Sequence, residues 1–373
     1  MTTDKLGLYV HIPYCVRKCN YCDFCSLPNG KDDVPELYVD ALCEEILSYK
    51  SKEKRTLDTV YFGGGTPSLL SVSQMERITA SIRQAFSVSD FAEVTFEANP
   101  GTLTCEKAVA FKSLGFNRVS MGLQSIHENE MKKLGRIHNY QDFITSFNLL
   151  REAGFDNINV DLMYGIPYQT KDSFLKTLEA VTALSPEHIS AYGLILEEGT
   201  PLFLEKETLP LPTTDEECDM YELACNFLRE RGYEHYEISN YAREGKLSRH
   251  NMLYWNLAEY IGVGAAAHSY FDGARFYNPD DVGEYINSVT AGTHLRLKEE
   301  IDLPLEYVML KLRLSDGFLL SDYDEKFKCS FLLGKEGIID KFAEAELLTL
   351  KDGRLKLTER GFYLSNSILV EIL

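Results

Sequence analysis

Apolar residues recur in two alternating patterns over about the first 240 positions of the chain. Short apolar runs are typical of buried strands, and apolar positions three and four residues apart are typical of amphipathic helices. The strand-like runs span residues 6–12, 59–62, 93–96, 118–121, 157–163 and 188–194. Four helix-like segments span residues 37–47, 106–114, 129–134 and 140–153. Three further helices are predicted: one after Ser71, one that contains Phe174 and Leu178, and one after Thr214.

Capping signals support the positions of two of these helices. Ser71 and Gln74 form a capping box, and Thr214 and Glu217 form another. Six strand–helix units in series predict an α/β fold whose parallel strands are joined by right-handed crossovers. Six units are too few for the closed eight-stranded barrel, so a partial barrel and an open, doubly wound sheet both fit.

From about residue 299 onward the pattern changes. Helices are predicted over 305–314, 338–346 and 359–369, and a hairpin over 347–357 turns at Asp352-Gly353. We therefore expect two domains, residues 1–298 and a small helical domain, 299–373, that carries this wing-like hairpin. A wing would suit DNA binding, but the second segment has ten Lys/Arg against fifteen Asp/Glu, a net charge of −5. We expect no nucleic-acid partner, because such partners require a basic surface.

Composition narrows the class of protein further. The chain has 373 residues, 45% of them hydrophobic, which is enough for a large core and argues against disorder. A formal charge of −19 disfavours broad attraction to nucleic acid or anionic lipid. No apolar stretch reaches the roughly 18 residues of a spanning helix. The opening residues lack the apolar segment of a signal peptide, so we expect a cytoplasmic protein.

Four of the nine cysteines lie within eleven residues, directly after the first predicted strand: Cys15, Cys19, Cys22 and Cys25. Loops at the carboxyl ends of parallel strands are where α/β barrels place their active sites. Three thiolates spaced C-x3-C-x2-C suit a 4Fe–4S cluster that keeps one iron without a protein ligand. The alternative is a structural zinc site that uses Cys25 as its fourth ligand.

Polar residues follow the next strands in the same way. A glycine run with Gly64, Gly65 and Thr66 ends the second strand, and Glu97, Gln124 and Asp161 end the third, fourth and fifth, with Arg136 further on. These groups meet at one edge of a parallel sheet, so we expect a polar cofactor pocket there. Arg136 can bind a carboxylate, Gln124 and Asp161 can bind hydroxyls, and Glu97 can accept from an ammonium group.

The cysteine spacing, with Tyr21 just before Cys22, resembles the radical S-adenosylmethionine (SAM) superfamily. The resemblance implies that SAM binds the open iron through its amino and carboxylate groups. An electron from the cluster then cleaves a C–S bond and leaves a 5′-deoxyadenosyl radical. Carried onto this chain, the SAM contacts would be Tyr9, Tyr21, Gly64, Gly65, Thr66, Glu97, Gln124, Arg136 and Asp161.

Over residues 6–270 the chain is similar to the oxygen-independent coproporphyrinogen III oxidases and their relatives. That family implies a partial (β/α)6 barrel. The oxidases carry a further cysteine where this chain has Phe24, and they have a longer segment before the cluster than the 14 residues that precede Cys15 here. The short start, the Asp-Phe after Cys22 and the run from His250 to Trp255 resemble a heme-chaperone branch. We therefore expect a heme-binding and heme-transfer protein, with the oxidase as the alternative.

His250 is the expected heme ligand, because imidazole commonly binds heme iron and Tyr254 and Trp255 offer apolar area beside it. A core histidine is the alternative for this position, and His268 is the competing ligand. His11 is expected to support the cysteine loop. The resemblance implies heme and heme-accepting proteins as partners. It leaves open whether those acceptors are membrane-bound and whether the chain forms a homodimer.

Overall fold

A computed structural model describes residues 5–30, 33–50 and 53–373. The strands it contains are β1 (Leu6–Ile12), β2 (Tyr14–Cys15), β3 (Leu27–Pro28), β4 (Thr56–Gly64), β5 (Ser87–Ala98), β6 (Arg118–Gln124), β7 (Ile158–Tyr164), β8 (His188–Gly193), β9 (Glu234–Glu237), β10 (Asn240–Ala242), β11 (Tyr260–Val263), β12 (His268–Phe271), β13 (Ala274–Tyr277), β14 (Leu297–Glu299), β15 (Phe318–Leu319), β16 (Leu348–Lys351) and β17 (Arg354–Leu357). Its helices are α1 (Glu36–Ser48), α2 (Val72–Ala85), α3 (Cys105–Ser113), α4 (Glu128–Lys133), α5 (Tyr140–Glu152), α6 (Lys171–Ala183), α7 (Pro201–Leu204), α8 (Thr214–Glu230), α9 (Arg249–Trp255), α10 (Val282–Thr290), α11 (Leu303–Lys311), α12 (Leu320–Phe327), α13 (Glu336–Glu344), α14 (Glu359–Tyr363) and α15 (Ser365–Ile372). No helix in these three ranges is both long and apolar enough to span a bilayer.

Twelve strands form one sheet, in the order β14-β13-β12-β11-β1-β4-β5-β6-β7-β8-β10-β9. Strands β1, β4, β5, β6, β7 and β8 are parallel and stand in chain order. Each crossover therefore adds the next strand to the same edge, which places the crossover helices on one face and curls the sheet. A doubly wound sheet requires a reversal of strand order, and this run has none. The predicted partial (β/α)6 barrel is confirmed.

The helix starts that were predicted by residue number lie within two residues of those in the structure. The capping box of Ser71 and Gln74 is present with both of its hydrogen bonds. The predicted box of Thr214 and Glu217 is wrong by one position, since Thr213 caps α8 and pairs with Glu216. Thr213 and Thr214 are each followed three residues later by a glutamate, so both fit the capping-box pattern. The sequence alone therefore does not distinguish them. The predicted final helix also breaks at Leu364, which separates α14 from α15.

Beyond β1 the sheet continues with β11, which is parallel to β1, and then with the antiparallel strands β12, β13 and β14. Because β14 runs to Glu299, the sheet extends one residue past the predicted boundary at 298. Strands β15, β17 and β16 form a separate small sheet, and the predicted hairpin turns at Asp352 and Gly353, both with positive φ (51° and 73°). One continuous cluster of buried apolar residues includes both Leu6 and Ile372, so the division into two domains stays a prediction.

Candidate functional site

Three of the four clustered cysteines line one cavity at the carboxyl ends of the barrel strands. This cavity of about 430 Å³ is called the strand-end pocket here, and its walls include Cys15, Cys19, Tyr21, Cys22, Gly64, Gly65, Glu97, Asn99, Ser120, Gln124, Asp161, Met163 and Tyr192. Cys25 lines a neighbouring cleft instead. The structure thus groups the C-x3-C-x2-C thiols and separates the fourth, as a cluster with one open iron requires.

Hydrogen-bonding side chains reach all three sulfurs, and the Ser26 hydroxyl lies 4.0 Å from the Cys22 sulfur, where either atom could donate. The Thr66 hydroxyl donates to the Cys15 sulfur at 3.5 Å, and the Arg136 guanidinium donates to the Cys19 sulfur at 3.6 Å. Burial raises the pKa of the Cys15 thiol, and the Thr66 hydrogen bond opposes this rise. Iron binds the thiolate rather than the thiol, so these donors favour the form that ligates. The donor set therefore fits an iron–sulfur cluster.

His11 holds the cysteine loop in place. Its Nε2 lies 2.9 Å from the Cys25 carbonyl, and its Nδ1 lies 3.0 Å from the Tyr9 hydroxyl. Burial lowers the pKa of His11, so the ring is neutral, with Nε2 donating and Nδ1 accepting. The supporting role predicted for His11 is confirmed. Tyr9, predicted to contact SAM, lies with His11 in the neighbouring cleft rather than in the strand-end pocket.

The glycines after β4 are required by close packing beneath this loop. Gly64 has a φ of 112°, and a Cβ there would lie 2.5 Å from the His11 ring. A Cβ on Gly65 would lie 2.6 Å from the Tyr14 carbonyl oxygen. Both glycines line the strand-end pocket, where bare backbone leaves room for a ligand.

Glu97 is a buried carboxyl group at the end of β5. It accepts hydrogen bonds from the Tyr61 hydroxyl at 2.9 Å and from the Gly64 N–H at 3.1 Å. Burial, helped by the charge of Asp161, raises its pKa to about 7 even though the Tyr61 bond opposes the rise. An ammonium group bound here would restore the charged form, so Glu97 can recognise an amino group.

Asp161 and Gln124 lie on the same wall. Asp161 accepts from the Asn159 amide at 2.6 Å and from the Ser120 hydroxyl at 3.3 Å, and its pKa is raised by burial. Gln124 ends β6 with a φ of 73° and accepts from the Tyr192 hydroxyl at 2.9 Å. Their remaining acceptor and donor capacity can bind hydroxyl groups, as predicted for a ribose.

Arg136 and Thr66 stand behind the pocket wall. The buried guanidinium donates to the Asn99 side chain at 2.9 Å, to the Gly122 carbonyl and to His138 Nε2, besides Cys19. Thr66 accepts from the Asn99 amide at 2.9 Å. Arg136 therefore positions Cys19 and Asn99, and its predicted contact with a SAM carboxylate stays a prediction.

Two functional residues escaped the sequence analysis. Asn99 joins Thr66 to Arg136, which links the residues behind Cys15 and Cys19. Tyr192 closes the pocket beside Gln124. Both follow the strand-end rule that identified Glu97 and Asp161: Asn99 lies just beyond β5, and Tyr192 lies near the end of β8.

The neighbouring cavity, called the histidine cleft here, has a volume of about 700 Å³. Its walls include Tyr9, His11, Cys25, Tyr254, Tyr260 and His268, and it shares Asp23, Phe24, Gly64 and Glu97 with the strand-end pocket. Phe24 is 70% exposed at the shared rim. The His268 ring is accessible, stacks on Tyr277 with centroids 4.8 Å apart, and has its Nδ1 3.7 Å from a Glu299 oxygen.

His250 lies behind this cleft and is 1% exposed. Its Nδ1 is 2.7 Å from the Thr59 hydroxyl, and its Nε2 is 2.7 Å from the Tyr254 hydroxyl. Burial lowers its pKa to about 3, so the imidazole is neutral. Both ring nitrogens are engaged, and Tyr254 stands between His250 and the cleft. The predicted ligation of heme by His250 stays a prediction, and it requires Tyr254 to move.

Comparison with known proteins agrees with this geometry. The radical SAM superfamily profile matches residues 9–181, and the HemN C-terminal domain profile matches residues 295–364. The protein named heme chaperone HemW in Lactococcus lactis is 36% identical, with 98% of this chain and 96% of that protein covered. Its Bacillus subtilis namesake is 35% identical over 96% and 97% of the two chains.

Among solved structures, the coproporphyrinogen III oxidase HemN from Escherichia coli superposes with a TM-score of 0.86. The alignment covers 98% of this chain and 89% of the oxidase. At 22% identity this likeness establishes the fold alone. The near-complete match to relatives of the same name, together with the cysteine-lined strand-end pocket, shows that the chain belongs to the HemW family of the radical SAM superfamily.

Proposed function

We propose that this protein binds heme in the histidine cleft and passes it to acceptor proteins. The observation that carries the proposal is the position of that cleft: it opens beside the strand-end pocket and shares four wall residues with it. It offers an accessible imidazole, and the exposed Phe24 ring at the rim can pack on a porphyrin face. The HemW relatives, named heme chaperones, support the same function.

The strand-end pocket would hold a 4Fe–4S cluster on Cys15, Cys19 and Cys22, with SAM beside it. When bound, that pair supplies one-electron chemistry. The chain's own residues would orient the two groups: Glu97 would accept from the SAM amino group, and Asp161 and Gln124 would accept from its hydroxyls. Arg136 and Thr66 hold the two sulfurs to which they donate. Phe24, rather than a fourth nearby cysteine, faces this pocket.

Two histidines can supply the heme ligand. His268 is reached without any movement, because its ring already lines the cleft. His250 is reached once the Tyr254 hydroxyl leaves Nε2, and Tyr254 itself lines the cleft. Breaking one such hydrogen bond costs about 0.5–1.5 kcal/mol, which heme ligation can offset. His250 is the proposed ligand in the heme-loaded state, and His268 is the competing one.

The reducing compartment that this cluster needs agrees with the predicted cytoplasmic location. All nine cysteines are free thiols, although Cys105 and Cys329 are exposed. Secreted proteins of this cysteine content usually form disulfides. The acceptor of heme is proposed to be another protein, which can be membrane-bound, and a homodimer is compatible with the proposal.

The test uses the full chain with its cluster reconstituted anaerobically. Titration with heme should give an imidazole-type spectrum, and the loaded protein should pass heme to apomyoglobin as a probe acceptor. His250→Ala should weaken binding, whereas His127→Ala serves as the matched control, because His127 lines neither cavity and its Nε2 lies 2.9 Å from the Ser173 carbonyl. Loss of the spectrum in His268→Ala alone would assign the ligand to His268.

The same preparation separates heme transfer from the alternative function. Incubation with SAM, a reductant and coproporphyrinogen III should yield no decarboxylated porphyrinogen. Efficient decarboxylation would instead make the protein an oxidase despite Phe24. Absence of heme binding in protein with a full cluster would remove the chaperone proposal.

A further inference from the structure

A second group of metal-binding side chains lies far from the cysteine loop. Cys225 is buried in α8, His235 lies in the edge strand β9, and Glu359 is the first residue of α14. One potential ligand atom from each lies within 4.8 Å of the other two, and the Cys225 sulfur is 3.9 Å from His235 Nδ1. Among the described residues, it is the one group of three such side chains that lies this close together.

We propose that Cys225, His235 and Glu359 bind a divalent transition metal ion of the zinc type. Sulfur, imidazole and carboxylate are the ligands that Zn²⁺ prefers. In a tetrahedral site with normal bond lengths, the sulfur and nitrogen ligands stand about 3.6 Å apart, close to the separation present here. One thiolate and one carboxylate also balance the charge of a divalent ion.

The surroundings of His235 prepare it to ligate through Nδ1. Its Nε2 lies 3.4 Å from the Ile238 carbonyl, which can only accept, so the proton sits on Nε2 and the Nδ1 lone pair faces Cys225. The ring stacks on Tyr241 with centroids 4.2 Å apart and an interplanar angle of 14°. Such a carbonyl partner is the usual support of a metal-bound histidine.

Cys225 and Glu359 have supporting partners of the same kind. The Tyr241 hydroxyl lies 3.2 Å from the Cys225 sulfur and can donate to a thiolate. Arg229 forms an ion pair with one Glu359 oxygen, which leaves the other oxygen for a metal. The Tyr221 hydroxyl is buried beside Cys225 and can also donate to its sulfur.

Space for a fourth ligand is present next to these residues. A cavity of about 350 Å³ is lined by Cys225, Glu359, Tyr221, Tyr363 and Cys218, among others. A water molecule or an external ligand can enter it and complete the tetrahedron, which is the arrangement of sites that keep an open position. The ligands come from α8 and β9 on one side and from α14 on the other. The ion would therefore hold the C-terminal helices to the barrel.

The test uses Co²⁺ as a spectroscopic probe on the full chain with its iron–sulfur cluster loaded, so that the cluster thiolates are already occupied. We expect one equivalent of Co²⁺ with a single-thiolate charge-transfer band and a higher unfolding temperature. Cys225→Ser should abolish the band. His235→Gln and Glu359→Gln should each weaken binding by about 10- to 100-fold or more.

Cys218→Ser is the matched control, because Cys218 lines the same cavity but does not belong to the three ligands. Its Co²⁺ spectrum and affinity should equal those of the unaltered chain. Glu359 is half exposed, so Glu359→Gln reports on the site even where Cys225→Ser fails to fold. Absence of Co²⁺ uptake, or uptake that is unchanged in Glu359→Gln and His235→Gln, would overturn the proposal.

Discussion

The strand-end pocket and the histidine cleft share a wall but are built in different ways. Most barrel-derived groups of the pocket stand near or just after the end of a parallel strand, so their position follows from the order of the strands, whereas Ser120 and Asp161 lie within β6 and β7. The cleft combines β1, the cysteine loop, α9 and the extension of the sheet beyond β1, which are brought together only by the curled sheet.

This difference decides which predictions succeed. A residue near the carboxyl end of a parallel strand lies close to the common mouth when its side chain faces the barrel interior, and Glu97, Gln124 and Asp161, all predicted there, line the pocket. No such rule governs α9, where one face of the helix points inward. His250 lies on that face, fully engaged with Thr59 and Tyr254. The pocket is thus preorganised, and the cleft offers His250 only after a rearrangement.

The largest expected effect is loss of the iron–sulfur cluster, which tests whether the strand-end pocket and the histidine cleft are separate sites. Replacing Cys15, Cys19 or Cys22 with Ser should abolish the brown absorption after anaerobic reconstitution, because each removes one of three thiolate ligands. Cys25→Ser is the matched control and should retain it, since Cys25 lines the cleft. Iron and sulfide analysis provides the measurement. Equal loss in Cys25→Ser would favour ligation by four cysteines and would merge the two cavities into one site.

The next effect concerns SAM affinity in the preorganised pocket. Asp161→Ala should weaken SAM binding by roughly 10- to 150-fold, because a hydrogen bond to a charged group contributes about 1.5–3 kcal/mol. Asp156→Ala, at an exposed carboxylate outside the pocket, should leave affinity unchanged. Equilibrium dialysis with cluster-loaded protein measures both. An unchanged dissociation constant for Asp161→Ala would place SAM elsewhere.

A smaller expected effect is a dependence of the affinity for SAM on pH. Ionised Glu97 accepts a stronger hydrogen bond from the SAM amino group than the protonated carboxyl group does, and its pKa is raised to about 7 in the unliganded pocket. The dissociation constant for SAM should therefore rise as pH falls through 7, by up to about tenfold for each pH unit. Glu97→Gln should bind more weakly at high pH and lose this slope. A slope that persists in Glu97→Gln would assign it to another group.

The smallest expected effect is a change in heme affinity at the histidine cleft. Tyr254→Phe removes the hydroxyl that occupies His250 Nε2, a hydrogen bond with a net value of about 0.5–1.5 kcal/mol. If heme binds His250, its affinity should increase by about 2- to 12-fold in this variant. The control is Tyr260→Phe, in the same cleft but without a bond to His250. Unchanged heme affinity in Tyr254→Phe would favour His268, which needs no such opening.

The sequence by itself determined those features that depend on neighbouring positions. The three cysteines stand close together in one loop, the strands alternate with helices, and the glycines at 64 and 65 follow directly from β4. Short-range spacing is sufficient to predict each of these features, because the short stretch of chain between the residues allows few alternative arrangements. For the same reason the capping box of Ser71 was found at its true position.

Only the tertiary structure decided the remaining features. The strand order distinguished a partial barrel from a doubly wound sheet, which have the same pattern along the chain. The engagement of Arg136 with Cys19 and Asn99 and the burial of His250 depend on partners far away in sequence. The group of Cys225, His235 and Glu359 spans three separate elements. Such contacts arise from the packing of distant segments, and no local periodicity encodes which side chains will meet.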